Sequence, residues 1–370
     1  MKITAISTAQ APSTTANSIQ VMKVCQAMAQ AGHAVTLLLP GEQPTPWDEL
    51  AGLYGLRTPF EVLRLPASPL WKRNDFALRA ANEARRSRSS LVYTWSVQAA
   101  VLALQGGLRA VFEAHDLPTG RLGPLWTGWL LRWKGRKRIA VITRALHAAL
   151  EARYGRFEAV LAPNGVETER YAALPDPSAS RAALGLPERV TVMCTGHLYA
   201  GRGGDLFLEL AARFPQAQFV WVGGRPADVE AYRTRAGANV TFTGFKPNAE
   251  LPGWQAAADV LLMPYGKTIA GSGGGNSAEI CSPMKLFDYL AAGRAILSSD
   301  LPVIREVLDA DCARFAPPEN PAGWSGALAP LLADAGLRER LGAEARRRAA
   351  GFDWRARQQR ILEGFDEPEA

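Results

Sequence analysis

The chain has 370 residues, 48% of them apolar and 21% charged, which argues for two domains with their own cores and excludes long disordered stretches. Its formal net charge of +7 is a mild excess that favours phosphate-rich ligands or an anionic surface without establishing either. The cysteines Cys25, Cys194, Cys281 and Cys312 fit no CxxC or zinc spacing, so buried reduced thiols and a cytoplasmic compartment are expected. The opening MKITAISTAQ has no apolar leader core, and no run of 18 apolar residues occurs, so any membrane contact is expected to be peripheral, at the inner face.

Lys2–Ile6 reads as a strand and Ile19–Ala31 as a helix with Gly32 just past its end. Ala34–Leu39, Leu91–Trp95, Ala110–Phe112 and Ile139–Ile142 read as further strands between amphipathic segments. This alternation predicts a parallel sheet with helices on both faces. The turn Pro163-Asn164-Gly165 closes the first set, and Pro175-Asp176-Pro177-Ser178 reads as linker, which puts the boundary near residues 165–180. A second set follows, with strands at Val190–Thr195, Phe219–Val222, Val240–Thr243, Val260–Met263 and Ala295–Ser298. Helices are expected near Asp205–Arg213, Ala249–Ala257 and Pro283–Ala292. The Gly-rich stretch Ala270–Ser277 reads as a mobile loop or a ligand-covering lid. The expectation is an α/β chain of two Rossmann-like doubly wound domains, residues 1–170 and 171–350, facing a central cleft. A last segment, 351–370, is expected to pack back towards the N-terminal domain.

Two segments carry phosphate-binding chemistry. Ser282 is a good N-cap residue, Pro283 suits the first helical position, and Gly293 suits the stop. The amides opening such a helix have no partners within it and attract anions. Lys285 adds a full charge one turn in, and Asp288 lies roughly 8 Å beyond Pro283 along the axis, a reach that suits ribose hydroxyls. The structural alternative is an ordinary capped helix with a Lys285/Asp288 surface pair. In the second segment, Val190–Thr195 runs into Gly196-His197-Leu198-Tyr199-Ala200-Gly201-Arg202-Gly203-Gly204. Glycines at a strand-to-helix turn let backbone approach a ligand, and Arg202 is the cation to clamp a phosphate there.

These residues resemble a known family. The run SPMKLFDYLAAGRAILSSDLPVIREVL (282–308) is similar to the SPxKxFEYxAAGxPI stretch of family 4 glycosyltransferases, and GHLYAGRGGDL (196–206) resembles their GRLxxxKGxDxL segment. VWVGG (220–224), VTFTGF (240–245) and ADVLLMPY (258–265) follow in the family order. FEAHDLP (112–118), APNGVETERY (162–171) and the opening STTANSIQVMKVCQAMAQAGHAVTLLLP (13–40) match as well. The resemblance implies the GT-B fold and transfer of a sugar from a UDP- or GDP-linked donor with retention at the anomeric carbon. It implies no cofactor and no metal. Arg202 and Lys285 would neutralise the leaving diphosphate. His115 would touch the donor sugar near the reacting carbon or orient the acceptor, and Asp288 would bind ribose. Gly196, His197, Gly223, Gly224, Ser282, Pro283 and Met284 would complete the donor site. The sequence departs from the pattern at three places: Ile280 stands where the family often has a first Glu, with Glu279 shifted by one; Asp288 replaces a Glu; and His197 replaces an Arg.

On the acceptor side the expected residues are Thr15, Asn17, Ser18 and Asp116, with Asp116 either the partner of His115 or a helix cap. The acceptor class stays open among saccharide, lipid-linked and small-molecule hydroxyls. Trp126, Trp129 and Trp133 lead into Arg132, Lys134, Arg136, Lys137 and Arg138, an order of aromatics and cations that suits the surface of an anionic membrane. No recognition motif accompanies those charges, so nucleic acid is not expected. Asp309-Ala310-Asp311 spells DxD outside the site segments and is not read as a metal site. Two other functions fit the same residues: a nucleotide-sugar-binding subunit without turnover, and a nucleotide-sugar epimerase of the same fold.

Overall fold

The computed structural model describes residues 1–68, 74–269 and 278–365. It divides into two compact units, Met1–Asn164 with Trp354–Ala370, and Gly165–Asp353. The Gly-rich stretch at 270–277 lies outside the described residues.

The first unit holds strands β1 (Lys2–Ile6), β2 (Ala34–Pro40), β3 (Glu61–Leu65), β4 (Leu91–Thr94), β5 (Ala110–Ala114), β6 (Lys137–Val141) and β7 (Val160–Leu161). They form one parallel sheet in the order β3-β2-β1-β4-β5-β6-β7. The order reverses between β1 and β4, the switch point at which open α/β sheets bind ligands beyond their strand ends. Its apolar core includes Ile6, Leu38 and Val92 from the sheet and Phe76, Ala80, Ala99 and Ala103 from helices.

The second unit holds β8 (Thr191–Thr195), β9 (Gln218–Val222), β10 (Val240–Gly244), β11 (Val260–Met263), β12 (Ala295–Ser299) and β13 (Ala313–Ala316), parallel in the order β10-β9-β8-β11-β12-β13. Here the switch point lies between β8 and β11. Phe207 anchors this core, meeting Phe219 and Trp221 edge-on at 5.4 and 5.2 Å. Burying a side chain of that size contributes about 1.5–3 kcal/mol.

Several expectations change. Pro175–Ser178 is not a linker: Asp176 accepts from the Ala179 amide at 3.0 Å and caps a helix, Pro177–Leu184, with Pro177 at its start. The strand after Gly107 runs on to Ala114, so Glu113 is a strand residue rather than part of the following turn. β6 begins at Lys137, which places Lys137 and Arg138 in the sheet. Ala249–Ala257 forms a 3₁₀ turn, Asn248–Glu250, followed by a short helix, Leu251–Ala256. The chain leaves the second unit at Asp353, and the helix Trp354–Leu362 packs within the first unit against Ala16–Gln30.

Candidate active site

In the second unit most of the residues expected at a donor site gather at the carboxyl ends of β8 and β11. Gly196 follows β8 at φ +124°, and a side chain there would come 3.3 Å from the Lys285 Nζ. Gly203, the N-cap of the helix Gly204–Arg213, has φ +81° and passes so close to Pro264 that a Cβ would lie 2.1 Å from its carbonyl oxygen. Both positions need glycine for conformation and for space. Gly223, after β9, lies against Gly196, whose carbonyl accepts from the Trp221 Nε1 at 2.9 Å, and Gly224 follows it against Leu198 and Val229.

The helix opening beside them runs from Met284 to Ala292 with Pro283 as its N-cap. The helix therefore begins one residue later than expected, with Ser282 buried just before its N-cap. Tyr289 fixes the helix to the sheet. Its hydroxyl accepts from the Thr195 amide at 2.8 Å and donates to the Leu262 carbonyl at 3.2 Å. That bond sets where Lys285, one turn earlier, meets the Gly196 turn.

Sequence reasoning missed Tyr265, which organises the cations. The Arg202 guanidinium lies 4.8 Å and the Lys285 ammonium 5.0 Å from the centre of its buried ring. Among the described residues neither cation meets a carboxylate, so the alternative Lys285/Asp288 pair does not form. Two like charges thus lie near one aromatic ring, whose faces favour cations, and the pair attracts an anion. Lys285 also lies 3.9 Å from the Cys194 sulfur. Burial raises that thiol despite Lys285, and burial pushes Cys281 up to about 11 against Arg202. All four cysteines are free thiols.

His197 stacks on Tyr199 with ring centres 4.8 Å apart, and Arg225 lies 4.7 Å over the same tyrosine. Asp288 is half-buried beside the Tyr171 hydroxyl, which donates to Gln255 Oε1 at 2.9 Å. Burial, then Asp288, raise that phenol well above its usual range. Ile280 is buried and Glu279 is exposed in the turn before the helix. Asp309 pairs with Arg348 and accepts from the Asp311 amide.

In the first unit, His115 sits just past β5. Its partner is not Asp116, whose exposed carboxylate accepts from the Leu117 amide at 2.7 Å, but Glu113, at 2.6 Å from His115 Nε2. Glu113 is buried, and Gln20 Nε2 at 2.7 Å, the Tyr93 hydroxyl and both Arg357 terminal nitrogens, at 3.2 and 2.6 Å, also donate to it. Burial alone would raise the Glu113 carboxyl, but the Arg357 charge and then the His115 hydrogen bond hold it well below the usual carboxylate range. Thr15 stands at the N-cap of Ala16–Gln30 without accepting from the helix amides; its hydroxyl donates to Ser18, whose own hydroxyl donates to the Ser13 carbonyl at 2.8 Å. Thr15 and Asn17 are exposed.

The aromatic and basic segment separates into two parts. Trp126 stacks on Trp129 at 5.5 Å, and Trp129 meets Trp133 at 6.0 Å. Arg136, Lys137 and Arg138 do not form a free basic surface. Arg136 donates to the Gly364 carbonyl, Arg138 to those of Ile361 and Glu363, and Lys137 to that of Trp133. Both arginines also lie over the Phe365 ring. They close the carboxyl end of the last helix, where unpaired carbonyls attract cations. Of the basic run, Arg132 and Lys134 are the exposed cations, and Arg121 is exposed as well, as are Leu122, Leu125 and Trp129. No described helix is long and apolar enough to cross a membrane.

Comparison with known proteins places these residues in context. Residues 18–170 match the model of Glycosyltransferase Family 4, and residues 189–334 that of Glycosyl transferases group 1. The phosphatidyl-myo-inositol mannosyltransferase of Mycolicibacterium smegmatis is 28% identical over 94% of this chain and 88% of its own length. The D-inositol 3-phosphate glycosyltransferase of Jonesia denitrificans is 27% identical over 48% of this chain and 43% of its own. Among solved structures, HepE of Anabaena in complex with UDP superposes with TM-score 0.76 at 16% identity, covering 98% of this chain and 99% of that one. The sucrose-phosphate synthase of Thermosynechococcus elongatus gives 0.75 at 18%, covering 98% and 97%. These likenesses show the GT-B fold.

Proposed function

Because the chain belongs to the family 4 glycosyltransferases, we propose that it moves a sugar from a UDP- or GDP-linked donor to an acceptor hydroxyl, with retention and without a metal. Arg202 and Lys285, 4.8 and 5.0 Å from the centre of the Tyr265 ring and near the start of the helix Met284–Ala292, carry this reading. As the glycosidic bond to phosphate breaks, negative charge grows on the leaving diphosphate. Two preorganised cations and the positive end of the helix stabilise that charge without reorganising. They do the work a divalent ion would otherwise do, so chelation with EDTA is expected to leave the rate unchanged. A rate restored only by added magnesium would overturn metal independence.

HepE complexes with UDP and with UDP-glucose support a uridine-linked donor, and guanosine is the alternative to test. Asp288 is the proposed ribose ligand, with Gly196, His197, Gly223, Gly224, Ser282, Pro283 and Met284 around the donor. His115 is proposed at the donor sugar, and Thr15, Asn17, Ser18 and Asp116 on the acceptor side. The mannosyltransferase relatives are named for a lipid, phosphatidyl-myo-inositol, which favours a lipid-linked acceptor at the inner face of a membrane. The exposed Leu122, Leu125 and Trp129, with Arg121, Arg132 and Lys134 around them, supply apolar insertion and cationic attraction to an anionic bilayer. The deciding measurement is thermal stabilisation by UDP, GDP, ADP and their sugars, since a ligand specific for the folded state raises the melting temperature. Stabilisation by none of them would sink the donor assignment. Stabilisation without turnover across many acceptors would favour a nucleotide-sugar-binding subunit.

A further inference from the structure

The first unit contains a second, buried charge cluster. Arg357, on the last helix, donates through its Nε to the Pro163 carbonyl at 2.6 Å and through a terminal nitrogen to that of Ala162 at 2.8 Å. Its two terminal nitrogens also grip Glu113. Arg357 is thereby fixed on the backbone just after β7 before it meets the carboxylate. Arg357 and Glu113 are both almost fully buried, whereas His115 is about a quarter exposed, its side chain at 28%. One side of the carboxylate is thus locked in the core, and the other holds a ring that opens to solvent.

We propose that Glu113 and Arg357 are positioning residues that hold His115 in the Nε2–H tautomer and present its Nδ1 as a hydrogen-bond acceptor to a sugar hydroxyl. The argument rests on complementarity. An ionised carboxylate only accepts, so the 2.6 Å contact requires the proton on Nε2. In a neutral imidazole this leaves a lone pair on Nδ1. Arg357 keeps the carboxylate charged in the core, and Gln20 and Tyr93 take up its remaining lone pairs. The carboxylate therefore has neither rotational freedom nor a proton to offer. A sugar hydroxyl meeting His115 must donate to Nδ1, which fixes the direction of that bond and hence the pose of the ring carrying it.

This inference rests on the proposal that His115 contacts the reacting sugar, and its test separates the two. The chain contains four histidines, so side-chain ¹⁵N spectra of histidine-labelled protein, assigned with His115→Ala, read the tautomer directly. The expected signature for His115 is a protonated Nε2 and a bare Nδ1. The paired replacement Glu113→Leu with Arg357→Met removes both charges together, so no charge is left buried and unpaired. In it the His115 signature should average or invert. An Nδ1–H signature in the native chain, or an unchanged one in the paired variant, overturns the proposal. In hydrolysis of UDP-glucose or GDP-mannose, the paired variant should lower kcat about ten- to a hundredfold with KM unchanged, the scale of one hydrogen bond to a charged group. Arg357→Lys should restore part of the rate. In a His115→Ala background the paired change should cost nothing more, because the residues act through the ring. A penalty that persists there overturns positioning and leaves the His115 reading standing. Unchanged kcat in His115→Ala removes the His115 reading itself.

Discussion

In the first unit, Glu113 lies in the core under donors from Gln20, Tyr93, His115 and Arg357. In the second, Arg202 and Lys285 lie half-exposed against a tyrosine ring, with no carboxylate beside them among the described residues. Both arrangements hold charge in place near the end of a central parallel strand, by opposite means. The buried carboxylate is neutralised by its own chain, so it can orient a neighbour but has little left to attract a ligand. The two cations are placed but not neutralised, so their field remains available to an incoming anion. The contrast separates a device for orientation from a device for binding.

The largest expected effect tests the buried half. Arg357→Ala leaves Glu113 buried without its guanidinium partner, and should lower stability by about 3–5 kcal/mol in chemical denaturation. The pH dependence carries a sign. Because the Glu113 carboxyl is held below its usual range, the unfolded chain binds the proton more readily. The stabilisation is therefore complete above about pH 4–5 and lost as pH falls from there towards the folded value. Denaturation across that window should show a shallower acid loss in the paired Glu113→Leu and Arg357→Met variant than in the native chain. Equal slopes would mean that the pair is not what titrates.

Next come the cations. Arg202→Ala and Lys285→Ala are each expected to lower kcat by about 10²–10³-fold and to weaken nucleoside diphosphate binding in calorimetry, with little change in melting temperature. Unchanged affinity in both would remove the binding half of the comparison. Tyr265→Leu keeps both cations but takes away the ring they share. Its nucleotide affinity should fall about two- to thirtyfold, the range of a cation–π contact, and an effect as large as losing a cation would show that the ring contacts the ligand itself. The smallest effect separates the two parts of the basic segment. Arg138→Ala should lower the melting temperature by about 2–4 °C, equivalent to ~1 kcal/mol, and leave flotation with anionic liposomes unchanged. Leu125→Asp with Trp129→Asp should do the reverse.

The sequence pattern located most of the sheet because the central strands are short apolar runs bounded by turns. Lys2–Ile6 and Val260–Met263 have the bounds expected of them. The strands that were not legible are β3, partly exposed and carrying Glu61 and Arg64, the two-residue β7, and β13, whose ARFA stretch has little apolar signal. Ser282 has the composition of a cap but not its place, because the turn that buries it starts the helix one residue later. Tyr265 was visible as the end of ADVLLMPY, yet nothing in the spacing says that two cations from separate segments converge on it. Glu113 and Arg357 are 244 residues apart, a pairing no local pattern encodes. Arg136 and Arg138 looked like a surface patch because the carbonyls they bind belong to the far end of the chain.

The return of the chain to its first unit has a consequence for the order of events at the ribosome. Gly165–Asp353 is one continuous stretch, so all of its internal partners are present when its last residue emerges. The earlier stretch does not. Glu113 is translated long before Arg357, and until that arginine arrives the buried carboxylate has Gln20, Tyr93 and His115 beside it but not the guanidinium. Although units usually complete in the order of synthesis, here the one begun first is finished last. Translation paused or cut short before Arg357 should give a protease-resistant second unit on a protease-sensitive first one.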